Sequence, residues 1–180
     1  AVILDNGPIY LDNHATTRVD PDVVESMLPW FTDNYGNAGS GTHAMGVEAR
    51  DAVEAARQQV AQAVGATSRE IVFTSGATES INLAMIGAVS RQSIKQCIVP
   101  ETEHAAVLDV ADQLERQGLS VCRLPVAPKD SQVPGALDLD QLNEMVCSKP
   151  ALVSIMFANN VIGLVYPISD IADIVHAHGA

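Results

Sequence analysis

Thr78, His104 and Asn160 each stand a few residues beyond an apolar run, and each carries a side chain able to hold or work on a small polar molecule. The first lies in FTSGATESINLAMIGAV, Phe73 to Val89, where an apolar run stops at Thr74 and Ser75, turns through Gly76 and becomes helical within about one turn. A turn of Gly76, Ala77 and Thr78 that opens a helix leaves backbone N–H groups unpaired, adds the positive end of the helix dipole and supplies the Thr78 hydroxyl. That combination suits an anion, phosphate above all. The competing reading is a helix simply capped by Ser75 or Thr78. Neither G-x-x-x-x-G-K-[ST] nor G-x-G-x-x-G occurs, which disfavours nucleoside triphosphates and dinucleotides.

His104 closes the stretch P-E-T-E-H after the apolar run Gln96 to Val99. It can stack on a planar cofactor or transfer protons, or it is a structural histidine. Asn160 belongs to the A-N-N that follows Ala151 to Phe157. It can hydrogen-bond a ring substituent or a carboxylate, or it is a turn residue holding its own backbone. His14 and His43 lie on separate loops, and His176 and His178 are two positions apart on a helix, so they share no face. No metal site is expected.

These residues need elements that bring them to one place. Asp20 and Pro21 read as a helix start, with Asp as N-cap and Pro at the first helical position, and Pro29 as its end or bend. YGNAGSGTH, Tyr35 to His43, is a loop leading into a helix whose apolar residues Ala49, Val53, Ala56, Val60, Ala63 and Val64 are expected to face a core before Gly65. Beyond it the pattern alternates: strand Glu70 to Ser75, helix Thr78 to Val89, strand Gln96 to Val99, helix Ala105 to Gln117, strand Leu119 to Leu124, helix Asp138 to Cys147. Ala151 to Phe157 reads as a strand buried on both faces, and a last helix starts at Ser169. The fold class is therefore α/β, a mainly parallel sheet layered by helices. In such sheets ligands bind beyond the carboxyl ends of the strands, where Thr78, His104 and Asn160 would stand.

Composition narrows the function classes. With 180 residues, 47% of them hydrophobic, the chain can bury a core of its own. A net charge of -12 repels nucleic acid phosphates and anionic membranes, so no direct nucleic acid binding is expected. No run approaches the roughly 18 to 20 apolar residues of a membrane span, and no leader pattern opens the chain, so a cytoplasmic location is expected. Cys97, Cys122 and Cys147 have neither C-x-x-C nor metal-ligand spacing, and their even separation joins unlike flanks. The opening at Ala1 and the stop at Ala180, just after a helix and where a strand would follow, suggest a piece of a longer chain.

Several stretches together resemble the cysteine desulfurase family, the NifS and IscS type of class V aminotransferases. They are IYLDNHATTRVDP (Ile9 to Pro21), YGNAGS (Tyr35 to Ser40), REIVFTSGATESINLA (Arg69 to Ala84), TEHAAVLD (Thr102 to Asp109) and VSIMFANNVIG (Val153 to Gly163), in the family's order. The resemblance implies a fold-type-I large domain, incomplete here, that binds pyridoxal 5'-phosphate. It implies a homodimer that takes sulfur from L-cysteine, leaves L-alanine and an enzyme persulfide, and passes sulfur to an acceptor or iron–sulfur scaffold protein or toward tRNA thiolation. By position, Ala77 and Thr78 match the phosphate-binding residues, His104 the histidine stacked on the ring and acting in catalysis, and Asn160 the asparagine near the ring hydroxyl. Residues 1–15 would join the small domain and 16–180 would form the N-terminal part of the cofactor domain.

The resemblance also marks departures. The family's Asp for the pyridinium nitrogen, its Ser-x-His-Lys and its persulfide cysteine have no counterpart here, and Lys95, Lys129 and Lys149 stand in other contexts. Without that lysine the 180 residues alone are not expected to turn over. Val161 replaces the usual Glu, and Ala38 the usual Pro. The alternatives are another class V aminotransferase, a cystine C–S lyase, or a non-catalytic truncated paralogue serving as a binding or scaffold protein.

Overall fold

The computed structural model describes residues 9–91, 93–147 and 150–180, in two compact units that divide after Phe73. The first eight residues of the expected N-terminal segment, and Lys149, lie outside the described residues. In the first unit, Asp20 and Pro21 start a helix as their chemistry dictates. The Asp20 carboxylate accepts from the Asp22 N–H at 2.9 Å, and helix α1 spans Pro21–Met27. Pro29 opens a separate single turn, α2, Pro29–Thr32. Helix α3, Ala44–Ala63, is capped by His43, whose Nδ1 accepts from the Gly46 N–H at 3.1 Å. Gly46 has to be glycine, because a Cβ there would overlap the Ser40 carbonyl of the preceding loop.

Two expectations in this unit fail. The α3 stripe finds little cover: Ala49 is buried, but Val53, Val60 and Val64 are 38%, 41% and 67% exposed. Among the described residues this unit holds no sheet for the stripe to pack on. The strand expected at Glu70 to Ser75 is also absent. A 3-10 turn, Ser68–Glu70, closes on the Thr67 and Glu70 capping box, and residues 71–74 pair with no strand among the described residues. An extended segment becomes a strand only with a neighbour to ladder against. Instead, the Ile71 carbonyl accepts from Arg57 Nη1 at 2.7 Å, and the guanidinium lies 4.8 Å from the Phe73 ring centroid.

The second unit is the α/β layer. Helix α4, Ala77–Arg91, leads to strand β1, Gln96–Pro100; α5, Ala105–Arg116, leads to β2, Ser120–Leu124. Helix α6, Leu139–Val146, then leads to β3, Ala151–Val153, and α7, Ile168–Ala177, follows. The strands are all parallel in the order β2-β1-β3. Moving out to β2 and back across β1 to β3 requires crossovers in opposite directions, and a common handedness then puts their helices on opposite faces. The core obeys this. Cys97 and Val99 of β1 pack with Met85, Val107, Val110, Ala111 and Leu114 of α4 and α5. The intervening Ile98 packs with Leu142 and Val146 of α6 and Ile171 and Val175 of α7. Every residue of the central strand β1 is buried.

The strand expected over Ala151 to Phe157 stops at Val153 and is not buried on both faces. Ala151 is buried, residues 152–156 are half-buried, and Phe157 is 66% exposed. The ladder makes one more bond, from Ser154 N–H to the Ile98 carbonyl at 3.0 Å. After that the backbone turns to other partners. Met156 N–H donates to the Glu103 carboxylate, and Ala158 forms an antiparallel bridge with Val165.

Candidate functional site

Strands β1 and β3 are neighbours whose following segments leave toward opposite faces, α5 to one and α7 to the other. Open parallel sheets bind ligands beyond the carboxyl ends of the strands at such a divergence. Helix α4 joins the same edge at its first turn. Its end at Val89 lies with Leu114 and Gln117 of the α5 end and with Lys95 and Leu119, at the amino edge, so its start at Ala77 points the other way.

Thr78 occupies the exposed first turn of α4, beside Ala77. The Glu79 carboxylate accepts from the Ser75 N–H and hydroxyl, both at 2.6 Å, and these bonds hold the Glu79 carboxyl below its ordinary range, the hydroxyl bond contributing most. Thr74 Oγ1 and Ser80 Oγ lie 2.7 Å apart, one donating to the other, and the Gly76 carbonyl stands 3.1 and 3.2 Å from them to accept the remaining proton. The small polar residues before the helix are thus tied to one another. The N–H groups of Ala77 and Thr78 have no side-chain acceptor among the described residues.

His104, exposed, is the N-cap of α5. Its Nδ1 accepts from the Ala106 N–H at 3.1 Å, so in the neutral ring the proton sits on Nε2. Asn160 follows β3, exposed, with its amide in no hydrogen bond among the described residues. The turn-holding role open to Asn160 falls to Asn159. That buried side chain donates to the Thr102 carbonyl at 2.9 Å and accepts from the Val161 and Ile162 N–H groups at 2.9 and 3.1 Å. Val161 contributes its backbone to this turn and leaves its side chain 83% exposed. In the earlier loop, Asn37 does the tightening that a proline at Ala38 would assist: its side chain accepts from the Gly39 N–H at 2.9 Å.

What ties the β1 tip to the β3 tip is a set of buried polar groups that motif reading missed. Glu103 is buried and accepts from Met156 N–H at 2.5 Å; burial pushes its carboxyl above the ordinary range. Tyr166 is buried, its hydroxyl 3.2 Å from Thr102 Oγ1 and donating to the Gly135 carbonyl at 3.2 Å. A hollow of about 350 Å³ lined by Pro125, Ala127, Leu137 and Gln141 opens after β2, but Thr78, His104 and Asn160 are not part of it.

Residues 9–180 match the sequence profile of the family described as Aminotransferase class-V. The chain belongs to the class V aminotransferase family. Within that family it is 49% identical over 174 residues to the cysteine desulfurase IscS of Anaeromyxobacter sp. (strain Fw109-5), covering 96% of this chain and 42% of that protein. It is 44% identical over 174 residues to the IscS of Rickettsia africae (strain ESF-5), covering 96% of this chain and 41% of the relative. Among solved structures, a NifS-like protein superimposes with a TM-score of 0.84 at 38% identity, over 95% of this chain and 46% of the other. SspA in complex with cysteine does so with a TM-score of 0.82 at 35% identity, over 94% and 48%. This class V chain therefore spans roughly two-fifths of the length of the curated relatives it matches. No described helix of the class V chain is long and apolar enough to cross a membrane.

For a class V member the sequence signal of Glu103 was its place in T-E-H, and that of Tyr166 its place before Pro167. Neither position announces burial, which only the neighbouring strand and connector create.

Proposed function

We propose that this chain carries the cofactor-facing residues of a pyridoxal 5'-phosphate-dependent cysteine desulfurase, acting on L-cysteine to give L-alanine and an enzyme persulfide. The observation that carries the reading is that the anion-suited turn of α4, the fixed ring of His104 and the unbonded amide of Asn160 lie along one edge of one sheet. The similarity to IscS proteins supports the choice of reaction.

The residues fit the cofactor chemically. Ala77 and Thr78 would hold the phosphate with first-turn N–H groups and the Thr78 hydroxyl. The His104 ring, held by its Nδ1 acceptor bond to Ala106 N–H, presents a face for stacking and keeps a proton on Nε2 to hold or pass on. Asn160 would hydrogen-bond the ring oxygen. Asn159 and Glu103 tie the loop that carries His104 to the segment that carries Asn160. Pyridoxal phosphate, when bound, supplies the electron sink for bond cleavage next to the amino-bearing carbon. In this reading residues 1–15 join a small domain and 16–180 belong to the cofactor domain of a cytoplasmic homodimer. Sulfur leaves to an acceptor or iron–sulfur scaffold protein.

The test is to supply the intact protein with pyridoxal phosphate and L-cysteine and measure alanine and sulfide under reducing conditions. Equal alanine and sulfide are expected. Keto-acid formation would assign an aminotransferase instead, and neither product, with cofactor bound, would leave a scaffold role. Thr78→Ala should weaken cofactor binding about tenfold, read from the cofactor's visible absorbance, because one charge-assisted hydrogen bond is lost.

A further inference from the structure

At the amino edge of the sheet, opposite the candidate site, α6 and α7 end side by side and bring three side chains together. Cys147 caps the end of α6 and His178 the end of α7. Asn143 stands four residues before Cys147, on the same face of α6. His178 Nε2 lies 2.9 Å from Asn143 Oδ1, and Cys147 Sγ lies 3.5 Å from Nδ1 and 3.3 Å from Nε2. An amide oxygen only accepts, so Nε2 carries the proton and Nδ1 keeps a lone pair; the Cys147 sulfur, nearly equidistant from both nitrogens, rests over the ring face, and a turn of its side chain brings the thiol in line with Nδ1. A nucleophile, a base and a group orienting the base are thereby in mutual contact, the arrangement that activates thiols generally.

The other cysteines lack this setting. Cys97 is sealed in β1, where burial pushes its thiol up to about 11, and Cys122 is half-buried with its thiol toward Gln96 Oε1 at 3.9 Å. Cys147 is exposed. We propose that Cys147 is a modification site, a thiol activated by His178 and Asn143 that exchanges with disulfides of small thiols. In the exchange His178 Nδ1 takes the Cys147 proton and the thiolate attacks one sulfur of the disulfide. The disulfide S–S bond breaks as the new one forms, and the second sulfur leaves with the electron pair and picks up the proton from His178. Reducing equivalents balance within the pair, the incoming disulfide being the oxidant.

The probe is cystamine, a cationic disulfide suited to a chain of net charge -12. The intact protein is treated at neutral pH, and peptide mass mapping follows the mixed disulfide at each cysteine with time. Cys147 is expected to react ahead of Cys97 and Cys122. His178→Ala should slow Cys147 by at least about fivefold, since an unassisted thiol is only a few per cent ionised at neutral pH. Asn143→Ala should slow it in the same sense, and Asn143→Asp, which keeps an acceptor oxygen for Nε2, should restore it. An unchanged Cys147 rate in His178→Ala overturns the proposal. Cys97 reports folding in each variant. If it becomes reactive in His178→Ala, the Asn143→Ala and Asn143→Asp pair decides, and equal rates in that pair overturn it.

Discussion

Helices α3 and α5 are both amphipathic, yet they end differently. The twelve residues of α5 bury Val107, Val110, Ala111 and Leu114, whereas the twenty residues of α3 bury only Gly46, Ala49 and Ala61. The difference lies in what each unit offers as cover. The unit from Thr74 onward contains a parallel sheet with an apolar face on each side, and α5 lies against one of them. Among the described residues the unit ending at Phe73 has no sheet, and α1, α2 and α3 leave Val24, Phe31 and Val60 exposed. Periodicity reports that a helix has an apolar face. It does not report whether the same chain supplies the surface that covers it.

The largest effect that can break this comparison is a pair of core truncations. Ile98→Ala removes a fully buried side chain from the centre of β1 and should destabilise the protein by about 2–5 kcal/mol, read as a lower urea midpoint. Val60→Ala, on the exposed α3 stripe, should change stability by less than about 0.5 kcal/mol. Comparable losses from the two would mean that the α3 stripe is covered in solution.

The same contrast explains what was legible in the sequence. The α/β alternation from Ala77 onward, the Asp20 and Pro21 helix start and the break at Pro29 all follow from local chemistry, and all are present. Elements that depend on a neighbour were misread. Residues 71–74 have strand-like composition but no strand partner among the described residues, and Ala151 to Phe157 loses its ladder where Glu103 takes the Met156 N–H and the Tyr166 N–H takes the Phe157 carbonyl. At the candidate site, positions were easier to read than partners. That Thr78, His104 and Asn160 follow helix starts and strand ends is a property of chain order. The cap role of His104 and the turn role of Asn159 rather than Asn160 depend on single hydrogen bonds, which residue type alone leaves open.

An intermediate effect sharpens the comparison at polar groups. Tyr166→Phe keeps the ring but deletes a hydroxyl placed between Thr102 and the Gly135 carbonyl in a buried setting, and should cost about 1–2 kcal/mol. Thr67→Ala removes half of the exposed capping box with Glu70 and should cost no more than about 1 kcal/mol. Chemical unfolding of both variants tests the order. A Thr67 loss exceeding the Tyr166 loss would reverse the ranking of the two units as stabilising frameworks.

The smallest effect is also the one whose sign separates the units. Glu103 is pushed up by burial, with bonds from the Met156 and His104 backbone opposing in part, whereas Glu70 is held down by the Thr67 N–H first and the Thr67 hydroxyl second. A carboxyl raised on folding binds its proton more tightly in the folded state. Its contribution to stability is complete below the ordinary carboxylate range and is lost as pH climbs through the raised value. Glu70 does the reverse: its contribution is present above the ordinary range and is lost as pH falls through the lowered value. Glu103→Gln retains an oxygen for Met156 N–H but cannot ionise, so its stability relative to the parent should improve as pH rises from about 4 to 7. Glu70→Gln should lose ground over the same interval. Urea midpoints across that range decide the matter, and a Glu103→Gln difference that stays flat or moves with the same sign as Glu70→Gln would mean that the carboxyl at the β1 tip is not desolvated in solution.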